Sequence, residues 1–584
     1  MTSIHDLVEE WLRLDQDEST RAEIQQLWNE GNTEELERRL RKRIAFGTAG
    51  LRASMQAGFS RLNSLTVIQT SQGLAAYLLG NDSETRTRGV VIGRDARHNS
   101  LKFARLAAAA FIAKGIKVWW LQDLVHTPLV PFAVNKLKAV AGVMITASHN
   151  PANDNGYKVY WSNGSQIVPP HDQGIARAID ENLEPLSWDL SVVHPKDPLM
   201  VEYCLDQVRD RYFDAVIHVA LSHAVPPPRK STKFVYTPMH GVGLPFMSET
   251  VSRLGLERDM IVVQKQASPD PDFPTVKFPN PEEKGALGLA IETANANFTD
   301  LIIATDPDAD RLAVAEQVHG RWRQLTGNQL GILFASHVLE TYPADKDLGK
   351  LAMLASTVSS RMLSIIAARE GFRFQETLTG FKWLGNAAQD LTKRGYDAVF
   401  AYEEAIGYMF SSVVFDKDGI AAAAVFLTAL QQWQQEGLTP WTKLQQLYEK
   451  YGYFEDANTY LLSPSPDVTN AVFAGIRALG GSSHPRKLNG RRILWWRDLT
   501  EGYDSSTDDN RAILPVDKSS QMISCEVEGD VRFTVRGSGT EPKIKLYIEG
   551  RAESAQAAKT AAESVLKDLL EEWFRPESYG LRLA

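Results

Sequence analysis

The sequence predicts an α/β protein: three consecutive α/β domains with mixed sheets, then a smaller α+β C-terminal domain. Three observations carry this. Short β-rich runs such as Gly89-Val-Val-Ile-Gly93 and Lys117-Val-Trp-Trp-Leu121 alternate with helical stretches such as Leu101 to Lys114, the pattern of parallel strands joined by crossover helices. The chain has 584 residues, which at ~150 residues per domain means about four domains rather than one core. Breaks rich in Pro, Gly and Ser divide it at Ala224-Val-Pro-Pro-Pro-Arg-Lys230, Ser463-Pro-Ser-Pro466 and Gly480-Gly-Ser-Ser483, and a further domain begins near Leu348-Gly-Lys-Leu-Ala-Met-Leu354. The expected divisions are 1–224, 225–344, 345–456 and 457–584.

Each element follows from local pattern. The first fifty residues read as charged amphipathic helices, with Leu7, Trp11 and Leu14 at helical spacing and Leu36, Leu40 and Ile44 repeating it, and are expected to form a lid or brace. The second domain opens on the strand Lys233-Phe-Val-Tyr-Thr237 and a turn at Met239-His-Gly-Val-Gly243, and its next strand, Leu301-Ile-Ile-Ala-Thr305, runs straight into Asp306. In the third, the Ala-rich run Gly419 to Leu430 is too short for the ~20 residues that span a bilayer and reads as a buried helix. Strands then dominate until a closing helix, Ala552 to Phe574. Three α/β domains of similar length are compatible with diverged duplication.

Composition narrows the function. Hydrophobic residues make up 43% and charged residues 23%, enough to build cores and too ordered a mixture for global disorder. Lys plus Arg is 63 against 72 for Asp plus Glu, a net −9, which provides no basic field for nucleic acid. The two cysteines, Cys204 and Cys525, form no CxxC pair, so neither a disulfide framework nor a structural zinc site is available. The N-terminal stretch MTSIHDLVEEWLRLDQDE lacks the apolar core of a secretory signal. A cytoplasmic protein without nucleic-acid or membrane partners is expected, and a monomer.

Four segments carry chemistry. Asp306-Pro-Asp-Ala-Asp310-Arg311 follows a buried strand, and in an extended segment its three carboxylates would point to one side. A hard divalent cation, Mg²⁺ with a phosphate completing its shell, relieves their repulsion. An EF-hand would need Gly and Glu where Arg311 and Gln317 stand, while a solvated acidic turn is the bland alternative. Thr146-Ala-Ser-His-Asn-Pro151 delivers Ser148, a candidate nucleophile or a mere helix cap, to the end of the strand-like Ala139 to Ile145. The hydrolase elbow G-x-S-x-G is absent there, and Lys158 lies shortly downstream. Arg536-Gly-Ser-Gly-Thr-Glu-Pro-Lys543 is a phosphate cradle or an ordinary hairpin turn. Tyr402-Glu-Glu-Ala-Ile-Gly407, Asp416-Lys-Asp-Gly419 and Thr377-Leu-Thr-Gly-Phe-Lys382 offer carboxylates for a polyol and lysines for phosphate. No Walker motif occurs.

In this order, Thr146-Ala-Ser-His-Asn-Pro151, Asp306-Pro-Asp-Ala-Asp-Arg311, Glu403-Glu404 and Arg536-Gly-Ser-Gly-Thr540 resemble the α-D-phosphohexomutase superfamily over nearly the whole chain. Gly47-Thr-Ala-Gly-Leu-Arg52, Thr379-Gly-Phe-Lys382, Glu403-Glu-Ala-Ile-Gly407 and Ser538-Gly-Thr-Glu-Pro-Lys-Ile-Lys545 are similar to its eukaryotic phosphopentomutase and phosphoglucomutase-2 branch, which includes glucose-1,6-bisphosphate synthase. The resemblance implies four domains around a central cleft, each lending a loop. Ser148 would carry the phosphate, and Asp306, Asp308 and Asp310 with the Ser148 phosphate would bind one Mg²⁺ per subunit. Arg311 and Arg52 would face the transferring group; Thr379, Gly380 and Lys382 would line the cleft. Glu403 and Glu404 would hold sugar hydroxyls, and Arg536, Ser538, Gly539 and Thr540 would grip the non-reacting phosphate. Lys417, ahead of Lys158 and His149, would move the proton.

The implied activity exchanges ribose 1-phosphate and ribose 5-phosphate, with the deoxyribose phosphates, through a 1,5- or 1,6-bisphosphate, and interconverts glucose phosphates secondarily. Where hexose-specific relatives read Gly-Glu-Glu-Ser or Gly-Glu-Met-Ser, this chain has Tyr402-Glu403-Glu404-Ala405 and no serine hydroxyl. One lost hydrogen bond, ~1 kcal/mol, shifts preference towards ribose without abolishing glucose turnover. The alternatives are a glucose-1,6-bisphosphate synthase or primarily a phosphoglucomutase. An Asp-nucleophile phosphatase on Asp306 and Asp308 would leave Ser148 and Arg536 without a part, and the intact Ser148, three aspartates and Arg536 speak against a sugar-phosphate-binding protein that has lost turnover.

Overall fold

Ser3 starts the fold with a capping box: its hydroxyl accepts from the Asp6 N–H and its own N–H donates to the Asp6 carboxylate, opening the helix Ile4–Leu14. With Glu18–Asn29 and Thr33–Leu40 this helix buries Trp11, Leu14, Ile24, Leu36 and Leu40 against Phe59 and Leu65. The N-terminal helices are therefore a brace on the first α/β domain. In this computed structural model residues 2–48, 50–202, 205–222, 232–481, 484–538 and 543–583 are described. The Pro-rich break at 224–230, Cys204, Ser482, Ser483, Gly539 and Thr540 lie outside them.

The chain divides into two compact units, residues 1–354 with 380–439, and residues 355–379 with 440–584. In the first, the N-terminal sheet has the strand order Leu51–Ser54, Asp154–Trp161, Ala141–Ile145, Val90–Arg94, Val118–Trp120, Met200–Val201. Val90–Arg94 runs parallel to both neighbours, as the alternating pattern predicts. Asp154–Trp161 is antiparallel to Ala141–Ile145 because the short turn carrying Ser148 leaves no room for a crossover. That register sets Met144 opposite Lys158 and so returns the lysine to the strand end.

The second sheet has the order Arg321–Gln324, Leu312–Val318, Leu301–Thr305, Phe234–Thr237, Met260–Val262. Leu301–Thr305 is buried along its whole length and parallel to Phe234–Thr237, whereas Leu312–Val318 folds back antiparallel with Leu312 opposite Thr305. The acidic segment is thus a tight turn between paired strands. Further along, Asp397–Glu403 and Gly407–Phe410 form an antiparallel hairpin. The Ala-rich run is the core of the helix Gly419–Gln435, buried at every residue from 419 to 430. Asp418 caps it by accepting from the Ile420 and Ala421 N–H groups. Among the described residues no helix is long and apolar enough to cross a membrane.

The second unit contains the expected α+β part. Arg491–Asp498, Met522–Val527, Val531–Gly537 and Lys543–Ala552 pair antiparallel, and Ala555–Asp568 with the wider turn Leu569–Phe574 packs Trp573 against Trp496 and Phe533. Glu376 ties the segment 355–379 into this unit: Arg497 grips its carboxylate with two nitrogens, at 2.6 and 3.1 Å, and Arg532 adds a third bond at 2.9 Å.

Candidate active site

Ser148 sits just past the strand Ala141–Ile145 and is 2% exposed. Its φ of +54° is a left-handed conformation rarely taken by a residue with a Cβ. That backbone turns Oγ into the protein, where it donates to Asp306 Oδ2 at 2.8 Å and lies 3.4 Å from His149 Nδ1. Burial, then the nearby Arg311 and Arg52, hold His149 well below the ordinary histidine range, so its ring is neutral near pH 7.

The three carboxylates converge, but not by extension. Ala309 adopts φ +52° and its N–H closes a turn onto the Asp306 carbonyl at 2.9 Å. One oxygen from each of Asp306, Asp308 and Asp310 lies within 4.8 Å of the others, all three residues being buried. Asp306 also accepts from the Arg311 N–H at 3.0 Å. Burial, then Asp308 and Asp310, raise Asp306 well above the usual carboxylate range. Burial pushes Asp308 the same way, and Lys158 and Thr127 overcome it and hold that carboxyl well below the range.

Two lysines face this triad. Lys158 Nζ lies 2.7 Å from Asp308 Oδ2 and 3.0 Å from Asp310 Oδ2; Lys417 Nζ lies 3.2 Å from Asp310 Oδ2 and 3.4 Å from Asp416. Burial opposes both ammonium charges, and the carboxylates outweigh it, so both pKa values rise. The donor set is all oxygen, and Asp308 Oδ1 and Asp310 Oδ1 are buried and accept no hydrogen bond among the described residues. Such bare oxygens fit a hard divalent cation.

Around the turn the main chain is held from three sides. Thr127 donates its N–H to the Asp308 carbonyl at 2.9 Å and its hydroxyl to Asp308 Oδ2 at 2.5 Å. Val242 donates to the Pro307 carbonyl at 2.8 Å, Gly419 to the Ala309 carbonyl at 3.1 Å, and Leu312 to the Ile406 carbonyl at 3.2 Å. Gly241 is required there, because a Cβ on it would lie 2.2 Å from Pro307 Cα.

The remaining candidates form smaller groups. Arg52, exposed, donates to Asn150 Oδ1 at 3.2 Å; Arg311, partly buried, donates to the Ala405 carbonyl at 3.3 Å. Glu403 accepts from the Gly380 N–H at 2.5 Å, and burial with Glu404 pushes it up to about 7. Lys382 is hydrogen-bonded to Thr48. Glu404 lies so close to the N-terminus of the helix Gly327–Thr341 that a Cβ on Gly327 would be 1.8 Å from its carbonyl oxygen. In the second unit Arg536 is hydrogen-bonded to Thr379, and the Ser538 N–H donates to the Lys543 carbonyl at 2.8 Å.

Thr127 escaped the sequence reading, as did the partners of the two acids that flank Lys417 in Asp416-Lys-Asp-Gly419. Asp416 accepts from Gln166 at 2.8 Å and Asp418 from the Tyr212 hydroxyl at 3.0 and 2.9 Å, so both neighbours of Lys417 are fixed by segments 250 and 206 residues upstream. The doubled acid in Asp416-Lys-Asp418 was the available clue; Thr127 offered none.

Comparison with known proteins agrees with this architecture. Residues 43–185, 210–320 and 326–451 match the phosphoglucomutase/phosphomannomutase alpha/beta/alpha domains I, II and III, and 500–567 match the C-terminal domain. A probable phosphoribomutase of Schizosaccharomyces pombe is 48% identical over 581 residues, 99% of each chain. A phosphopentomutase of Mus musculus is 44% identical over 98% of this chain and 95% of its own. A glucose 1,6-bisphosphate synthase of Pongo abelii is 41% identical over 98% and 94%.

Proposed function

This chain belongs to the phosphoglucomutase/phosphomannomutase family of the α-D-phosphohexomutase superfamily, and we propose on that footing that it is a phosphopentomutase exchanging ribose 1-phosphate and ribose 5-phosphate. The observation that carries the chemistry is the Ser148 hydroxyl, buried and aimed at Asp306 from a left-handed turn. The identities favour the pentose reading: proteins named phosphoribomutase or phosphopentomutase stand at 43–48%, above the bisphosphate synthases at 41–42%. Phosphoglucomutase activity is secondary. The domain divisions at 224/225, 344/345 and 456/457 belong to the same reading.

In the working cycle Ser148 carries a phosphoryl group. The free hydroxyl oxygen of a bound sugar monophosphate bonds to phosphorus, the Ser148 Oγ–P bond breaks, and a sugar bisphosphate forms. This turns over and returns its other phosphate to Ser148. Asp306, Asp308, Asp310 and an oxygen of the Ser148 phosphate would hold Mg²⁺, which when bound stabilises charge on the transferring group. Arg311 and Arg52 clamp the phosphoryl oxygens, and Lys417, with Lys158 and His149 at hand, moves the hydroxyl proton: either lysine, held as an ammonium ion by the carboxylates, accepts it only after giving up its own, whereas the neutral His149 ring accepts it directly. Thr379, Gly380 and Lys382 line the substrate site, and Glu403 and Glu404 accept from sugar hydroxyls. Arg536, Ser538, Gly539 and Thr540 grip the far phosphate, which orients the sugar whichever way round it lies.

Side-by-side kcat/KM values for ribose 1-phosphate and glucose 1-phosphate, with Mg²⁺ and catalytic bisphosphate, test the assignment. A ribose preference is expected. A glucose preference would make the chain a hexose mutase, and high bisphosphate production from 1,3-bisphosphoglycerate would make it a synthase.

Glu403 gives a pH prediction. Its carboxyl titrates near 7, so above that pH it is an anionic acceptor and below it carries a proton. The kcat/KM for ribose 1-phosphate therefore falls as pH drops through about 7. Glu403→Gln lowers kcat/KM by ~10- to 100-fold, the worth of a hydrogen bond to a charged group, and loses this inflection. The substrate phosphate titrates identically with both proteins, so only the difference between the two profiles counts.

A further inference from the structure

The backbone that holds Ser148 in its left-handed turn is itself gripped by a buried ion pair that the sequence motifs do not reveal. Asp95 and Arg97 follow the strand Val90–Arg94, with side chains 2% and 1% exposed and Arg97 Nε 3.3 Å from Asp95 Oδ2. The Arg97 guanidinium donates to four main-chain carbonyls of the serine turn: Ser148 and Asn150 at 2.6 Å each, Pro151 at 2.8 Å and Asp154 at 3.2 Å. Its face lies over the Phe273 ring, 4.9 Å from the centroid.

Asp95 anchors Arg97 to the end of its strand. It accepts from the Arg97 N–H at 3.0 Å and from Ser100 Oγ at 2.6 Å. Thr146 Oγ1 accepts from the Ser148 N–H at 2.9 Å. Both main-chain groups of Ser148 are therefore held by side chains, the carbonyl by Arg97, which Asp95 anchors, and the N–H by Thr146. A fork of fixed planar geometry on four carbonyls is something arginine supplies and lysine does not.

We propose that Asp95 and Arg97 are positioning residues for phosphoryl transfer: they keep Ser148 in the left-handed conformation that aims Oγ at the acidic loop. The proposal rests on Ser148 being the phosphate carrier. Both side chains are buried beneath the serine turn, so the rate of transfer depends on them and sugar-phosphate binding does not. Displacement of a reacting atom by about 1 Å costs ~100-fold in rate, which sets the expected size.

The test uses the full chain, loaded with phosphate from glucose 1,6-bisphosphate and mixed rapidly with ribose 1-phosphate, loss of phosphate from Ser148 being followed by mass spectrometry. Arg97→Lys is expected to slow transfer ~100-fold and Asp95→Asn ~10-fold, with KM changed less than about twofold. Transfer in Arg97→Lys within about threefold of the parent overturns the proposal, as does a loss accompanied by a proportional rise in KM. If Arg97→Lys does not fold, unchanged transfer in the isosteric Asp95→Asn overturns it instead. A parent protein that takes no phosphate on Ser148 removes the functional reading and this inference together. Phosphate on Ser148 with indifferent variants removes only the inference.

Discussion

Ser148→Ala lowers kcat for ribose 1-phosphate by at least ~10⁴-fold, the scale of losing a nucleophile whose covalent intermediate divides the reaction. The substitution removes one oxygen that donates to Asp306 at 2.8 Å and leaves the turn's bonds through Thr146 and Arg97 in place. Folding is therefore expected to survive, and the melting temperature measured beside kcat separates chemistry from stability. Intact-mass analysis after exposure to glucose 1,6-bisphosphate shows phosphate on the parent and none on the variant. Residual activity above a per cent of the parent would mean that phosphate passes between sugars without residing on Ser148.

Asp308→Asn comes second, with an expected loss of ~10³-fold in kcat from transition-state charge left unbalanced. Through one oxygen Asp308 bonds Lys158 at 2.7 Å and the Thr127 hydroxyl, and its other oxygen accepts no hydrogen bond among the described residues. An amide keeps the volume, loses the charge and offers only one oxygen. Binding of Mg²⁺ followed by calorimetry should weaken by at least ~10-fold, a charge-assisted contact being worth about 1.5–3 kcal/mol. Normal kcat at saturating Mg²⁺ would remove Asp308 from the metal's shell. Chelation of the parent should stop turnover reversibly.

The sequence made the strand-borne parts of the site legible. Leu301–Thr305 leading into Asp306, and the apolar run leading into Thr146 and Ser148, announce loops at strand ends because a fully apolar strand must be buried and its first polar residues must leave the sheet. What it hid was conformation. Nothing in Asp-Pro-Asp-Ala-Asp forecasts that Ala309 takes φ +52°, so the convergence of the carboxylates was attributed to extension when a turn produces it. The antiparallel return of Asp154–Trp161 was equally hidden, since a strand's direction depends on the length of its turn rather than on its own residues. Contacts between distant segments, Thr127 on Asp308 or Arg497 and Arg532 on Glu376, leave no periodic trace at all.

The turn at residues 306–311 accepts main-chain bonds from Thr127, Val242 and Gly419, while Leu312 just beyond it donates to Ile406. These amide protons belong to segments far apart along the chain, all closed around one turn. Under native conditions their hydrogen–deuterium exchange should therefore report a single opening event, with protection that converges on one free energy as denaturant is raised. An exchange map of the first unit would then group these residues by the turn they share and cut across the three sheets that supply them.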